Sequence, residues 1–188
     1  RVALVTYSDT TTVVLDSTPG DRRERITAAI ERLRASGCTN GAAGIDMAYA
    51  IADRNRRPGG VNRVVLATDG DFNVGNSSFK RLMRLISQKR ESGITLTALG
   101  FGTGNLNEKN LEQLADRGDG NYFYIDSYRA ARTVLDSGLT ATMELAARDV
   151  KAQIEFNPEH VKEYRLIGYD NRKLAFQDFK DDRVDAGE

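Results

Sequence analysis

The chain carries one cysteine, one histidine and no tryptophan in 188 residues. A single thiol, Cys38, cannot build an internal disulfide framework, and by itself it does not fix a redox compartment. A single imidazole, His160, excludes a multi-histidine metal site and any His–His relay within the chain. Neither sign of charge is in excess: 27 acidic residues balance 27 basic ones, so no electrostatic footprint for nucleic acid or an anionic membrane is present. No apolar run is long enough to span a bilayer. There is no internal repeat and no low-complexity tract. Initiator methionine and signal peptide are absent as well, since Arg1 leads straight into an apolar run. The expectation is a fragment of a longer protein, and absent targeting signals then say nothing about that protein.

What remains is enough for a core. Hydrophobic residues make up 40% of the chain, and its length fits one domain or one domain with an appendage. Arg1 to Tyr7 reads as a strand, Ser8-Asp9-Thr10 as a tight connection, and Thr11 to Leu15 as a second strand antiparallel to the first. After Pro19-Gly20-Asp21 a helix is predicted, with Ile26, Ile30 and Leu33 as its apolar stripe and a charged, solvated opposite face. Gly37 to Gly41 forms a small loop in which Thr39 or Asn40 can cap the next helix. That helix presents Ile45, Ala48, Tyr49 and Ala52 on one face and stops at Pro58-Gly59-Gly60.

The unbroken apolar run Val64 to Ala67 predicts a strand buried on both faces, ending in Thr68-Asp69-Gly70. A helix follows, capped by Asn76 or Ser77 and carrying Phe79, Leu82, Met83 and Ile86. Thr95 to Phe101 is another buried strand, Glu108 to Arg117 a helix with Leu111, Leu114 and Ala115 facing in, and Tyr122 to Ile125 a short strand. Ser127 caps a last helical region. Strands alternating with helices across short loops argue for an α/β fold with a mostly parallel sheet covered on both faces. The end of the chain differs. Val150, Ala152, Ile154 and Phe156 alternate with polar residues as in a half-exposed strand, Asn157-Pro158 marks a turn, and Val161 to Gly168 is the predicted second arm of a hairpin. The division expected is residues 1–147 and an extension over 148–188.

Ligands in open α/β sheets sit beyond the carboxyl ends of strands, where Asp69 stands. From the residues alone Asp69-Gly70 is also an ordinary turn, with Asp69 as an N-cap. Two other motif-like stretches fail. Gly100 to Gly104 lacks the third glycine of a dinucleotide fingerprint, because Asn105 stands in its place. Asp69 to Lys80 begins like a calcium loop but has Val74 where glycine is needed and Lys80 where glutamate is needed. Asn76-Ser77-Ser78 is a glycosylation triplet of a kind that arises often by chance. Thr39 and Asp69 together offer a hydroxyl and a carboxylate, oxygen donors of the kind that hard divalent cations prefer.

The order of these elements from Val2 to Leu139 resembles a von Willebrand factor type A domain, the integrin I-domain fold, which is doubly wound and Rossmann-like. Gly37 to Ile45 is similar to that family's threonine loop, Val64 to Gly70 to its strand ending in Thr-Asp-Gly, and Leu99 to Gly102 to the following strand. Leu111 to Ala115 and Gly120-Asn121-Tyr122 are similar to the helix and short strand after it. The wording Asp69 to Gly75 and the tail Tyr164 to Tyr169 resemble a bacterial branch with a C-terminal extension.

The resemblance implies a metal ion-dependent adhesion site and a non-enzymatic, protein-binding role. Thr39 and Asp69 match two of the family's metal ligands; Asp9, Asn40, Asp71 and Asn73 are the expected rim. The ion expected in the intact protein is Mg²⁺, or Mn²⁺ or Ca²⁺, with one position left for an acidic residue of a protein partner. The family's Asp-x-Ser-x-Ser loop is absent, so this chain is expected to hold the ion weakly or not at all. The central strand that precedes that loop is absent too. Its gap would leave two rows of unpaired backbone groups, and buried orphans cost roughly 1–3 kcal/mol each. One of three outcomes is expected: the flanking strands pair directly, a C-terminal strand inserts, or another chain does, as a homodimer or strand swap; the alternative is that upstream residues of the intact protein fill the gap. The branch implies an extracytoplasmic or membrane-anchored location. The alternatives are a metal-independent scaffold in a bacterial envelope or secretion assembly and, more remotely, a metal-assisted hydrolase using Asp69 and Asp71. No catalytic set converges in the sequence.

Overall fold

The computed structural model describes residues 1–34, 41–68, 75–102, 108–138, 141, 153–165 and 167. The chain divides into two compact units, Arg1–Glu144 and Leu145–Glu188.

The first unit opens with a hairpin, β1 (Val2–Tyr7) antiparallel to β2 (Thr11–Thr18), as the two β-branched runs predict. Its register slips twice, between Val2 and Leu4 and between Leu4 and Val5. Such irregularities bend a ribbon and raise its twist. Helices α1 (Arg23–Glu31) and α2 (Gly41–Arg54) follow, and then β3 (Asn62–Thr68), α3 (Gly75–Glu91), β4 (Ile94–Phe101), α4 (Glu108–Arg117) and β5 (Tyr122–Ile125). The last three strands form one parallel sheet in the order β3-β4-β5, continuous from Asn62 opposite Ile94 to Thr68 opposite Gly100. Ser127 caps α5 (Tyr128–Thr133), its hydroxyl accepting from the Ala130 amide at 3.2 Å, and a π-helical turn over Val134–Gly138 continues it.

Helices α2, α3 and α4 share one core with one face of this sheet. Ile45 and Tyr49 of α2, Leu82 and Ile86 of α3, and Leu111, Leu114 and Ala115 of α4 cluster with Val64, Leu66, Leu96 and Ala98. These are the residues whose spacing predicts the buried stripes. The stripe of α1 is different: its buried residue is Ala29, while Ile30 is 51% and Leu33 37% exposed. The strand around Val64 is also not buried on both faces. Val64, Leu66 and Thr68 point into the core, but Val65 is 43% exposed and Ala67 is exposed.

The gap expected between β1 and β3 is real, and the strands on either side of it do not pair. β1-β2 and β3-β4-β5 are separate hydrogen-bonded sheets. Among the described residues no C-terminal strand enters either one. A cavity of about 380 Å³ lies between the two edges, walled by Leu4 and Val5 on one side and Val64 to Ala67 on the other, with Ile45 and Ala48 of α2 as its floor.

In the second unit, the expected hairpin strands do not form over residues 153–165. The Asn157-Pro158 turn is present: Asn157 Oδ1 accepts from the Glu159 amide at 2.9 Å, and its carbonyl from the Val161 amide at 2.9 Å. The two arms meet through Phe156 and Tyr164, whose rings stack at 4.5 Å. Side-chain alternation sets which face a segment shows, but a strand also needs a ladder partner.

Candidate functional site

Three strand ends and one helix start gather at one edge of the first unit. Tyr7 ends β1, Thr68 ends β3, Phe101 ends β4, and Gly41 begins α2. Tyr7 ties them together. Its ring lies against α2 at Gly44, where an added Cβ would stand 2.8 Å from the Tyr7 ring and Cβ. Its hydroxyl donates to the Ala67 carbonyl at 2.8 Å. The first turn of α2 and the end of β3 are thereby held to the same side chain. On the far side, the Tyr124 hydroxyl donates to the Gly102 carbonyl at 2.7 Å, fixing β5 to the end of β4.

The sequence-predicted residues attach to this edge. Asp9 lies in the β1-β2 turn and is exposed. Thr39, Asn40, Asp69, Asp71 and Asn73 lie outside the described residues. Their points of attachment do not: Thr39 and Asn40 lead directly into Gly41, which is buried at the start of α2, and Asp69 follows Thr68. The structure places the residues that flank the two candidate segments, Gly41 and Thr68, at the same edge, where the ends of parallel strands are the usual position of a binding site.

The donor chemistry at this edge suits a hard cation. Thr68 is only 6% exposed, and its hydroxyl has no hydrogen-bond partner. An oxygen left buried and unpaired costs free energy, and a ligand or ion beside it recovers that cost. The hydroxyl and carboxylate oxygens of Thr39 and Asp69 are the right donor type for Mg²⁺, which keeps several waters and needs one or two carboxylates. Among the described residues no group of three or more His, Cys, Asp or Glu side chains assembles. Sequence reasoning missed Tyr7, which carries no spacing signal, and passed over the Thr68 hydroxyl inside a motif it quoted.

Comparison with known proteins agrees with this architecture. Residues 1–137 match the von Willebrand factor type A domain family, and residues 141–188 match the family described as the C-terminal region of the uncharacterized protein YfbK. YfbK of Escherichia coli (strain K12) is 46% identical over all 188 residues, and the chain spans 33% of its length. Among solved structures, proximal thread matrix protein 1 from the mussel byssus is 22% identical with a TM-score of 0.57, over 71% of this chain and 34% of that one. The same mussel protein with a zinc-occupied MIDAS motif gives a TM-score of 0.55 at 22% identity, over 71% of this chain and 34% of that one. The SpRpn10 VWA domain is 16% identical with a TM-score of 0.57, over 72% of this chain and 70% of that one. At these identities the structural likenesses concern the fold.

Proposed function

Because this chain belongs to the von Willebrand factor type A domain family, we propose that it is a non-enzymatic protein-binding module working through a divalent cation. Thr39 and Asp69 hold the ion, directly or through water, and an acidic residue of the partner completes its shell. Asp9, Asn40, Asp71 and Asn73 shape the rim. The observation that carries this reading is the Tyr7 clamp, which holds Gly44 in the first turn of α2 and Ala67 near the end of β3 to one side chain. The mussel neighbour, which shares the fold, is described with a zinc-occupied MIDAS motif, and this supports a metal-binding reading. The protein to which the chain belongs is extracytoplasmic or membrane-anchored in this reading.

Asp69→Ala in the intact protein is the test. Calorimetric titration with Mg²⁺ and Mn²⁺ is expected to show binding in the parent and none in the variant. Undiminished binding by Asp69→Ala would overturn the assignment.

A second reading rests on a different observation. Ile154, Tyr164 and Ile167 of the C-terminal unit are 75%, 74% and 79% exposed. A metal-independent scaffold role through these apolar side chains predicts partner capture that survives both chelator and Asp69→Ala.

A further inference from the structure

Among the described residues, Thr11, Tyr49, Thr68, Thr97 and Tyr122 each bury a side-chain hydroxyl that has no hydrogen-bond partner. Such orphans are rare in folded proteins, and each calls for a cause. Thr68 differs from the others in its place. It is the last residue of β3, and Asp69 follows it. Thr97 is its counterpart in the interior: a threonine on the neighbouring parallel strand, 0% exposed, paired with Val65 in mid-strand.

The surroundings of Thr68 are poor in polar side chains. Val64, Leu66 and Thr68 share the core face of β3. Across the ladder from Thr68 stands Gly100, which brings no side chain. Beyond it stands Tyr124, whose hydroxyl is committed to the Gly102 carbonyl. α2 packs on the same face, and its first turn is Gly41-Ala42-Ala43-Gly44. Neither the ladder neighbour nor that turn offers a side-chain donor or acceptor. Packing does not call for the oxygen either, since valine has nearly the same shape and suits a strand as well. The hydroxyl therefore carries a capacity that the fold itself does not use.

A divalent cation uses such a group through its water. Mg²⁺ dehydrates reluctantly and keeps several waters, whereas Ca²⁺ takes more oxygen ligands in a looser geometry. Groups that hydrogen-bond to the ligands of an ion orient them, and losing one costs roughly 10- to 100-fold in metal affinity. A hydroxyl can donate to a water oxygen that the ion holds. We propose that Thr68 is a positioning residue of the cation site, its hydroxyl donating to a water in the ion's shell. This rests on the cation reading above and adds to it a residue that acts through water.

The test is calorimetric titration of the intact protein and its Thr68→Val, Thr68→Ser and Thr97→Val variants with Mg²⁺ and with Ca²⁺. Thr68→Val is expected to bind Mg²⁺ roughly tenfold or more weakly, with a smaller loss for Ca²⁺. Thr68→Ser restores the hydroxyl and is expected to recover most of the Mg²⁺ affinity. Thr97→Val deletes an orphan hydroxyl from the interior and is expected to leave both affinities unchanged. Without metal, both valine variants are expected to unfold at higher denaturant than the parent, because each removes a buried unpaired oxygen. Mg²⁺ binding by Thr68→Val equal to the parent's would overturn the proposal, and so would an equal loss for both ions. A metal-free Thr68→Val that is less stable than the parent would overturn it too, since the hydroxyl would then be paired within the fold. A parent that takes up no Mg²⁺ would overturn the cation reading along with this one. Binding in the parent and in Thr68→Val, with none in Asp69→Ala, would overturn this one alone.

Discussion

Tyr49 is fully buried beneath the sheet, and its hydroxyl has no hydrogen-bond partner. Burial also pushes its phenol above the usual tyrosine range, since the charged form loses solvation. A buried, unsatisfied hydroxyl costs about 1–3 kcal/mol. Tyr49→Phe keeps the ring and deletes that oxygen, so it is expected to raise stability by about 1 kcal/mol in urea unfolding. A loss of similar size would mean that the hydroxyl is satisfied after all. Gly120 is the opposite case. A Cβ there would stand 1.9 Å from the Leu96 carbonyl oxygen, a backbone atom of the central strand that has no room to move. Gly120→Ala is expected to cost about 3 kcal/mol, whereas Gly20→Ala, with nothing within 4 Å, is expected to stay within about 0.5 kcal/mol. At this scale the sequence was informative where chemistry is local: Ser127 caps as its position predicts. It was silent on Tyr7, because a contact from residue 7 to residue 67 leaves no mark in neighbouring residues.

Among the elements, α2 and α3 lie side by side and are tied twice at their surfaces, Arg81 to Asp46 at 2.6 Å and Lys89 to Asp53 at 2.9 Å. The hydrogen bond and charge of Lys89 hold the Asp53 carboxyl below its ordinary 3.8. A carboxyl whose folded-state pKa is depressed contributes stability above its unfolded value and loses it as pH falls through the folded value. Asp53→Asn is therefore expected to be less stable than the parent at neutral pH, with the difference closing as the pH drops below 3.8. Unfolding midpoints followed downward from pH 7, in low and high salt, check this; a difference that does not shrink at any pH below 3.8 would assign the effect to packing. Periodicity located α2, α3 and α4 and their inward faces because a broad sheet lies under them. The stripe of α1 misled for the same physical reason in reverse. Three and four spacing shows that a helix has an apolar face, not that enough surface exists to cover it, and the β1-β2 ribbon leaves Ile30 51% exposed. Ile154 and Phe156 misled likewise, since their alternation has no ladder partner within residues 153–165.

At the scale of the whole molecule, the first unit holds two separate sheets packed on α2, and the two faces of β3 differ. The unbroken apolar run predicts Val65 as interior, and it is 43% exposed, while Leu66 beside it is 4% exposed. An apolar run codes for a strand, but what packs on each face decides which side chains are covered, and a charged residue is almost never fully buried without a partner. A lysine therefore has a different cost on the two faces. In Val65→Lys the side chain reaches solvent, and the change is expected to fall within about 0.5 kcal/mol. In Leu66→Lys it enters the core cluster with the side chains of α2, α3 and α4, must desolvate its ammonium, and is expected to cost about 2 kcal/mol or more. Guanidinium unfolding of the parent and the two variants measures the difference directly. Equal penalties at the two positions would mean that Val65 is covered in solution as Leu66 is.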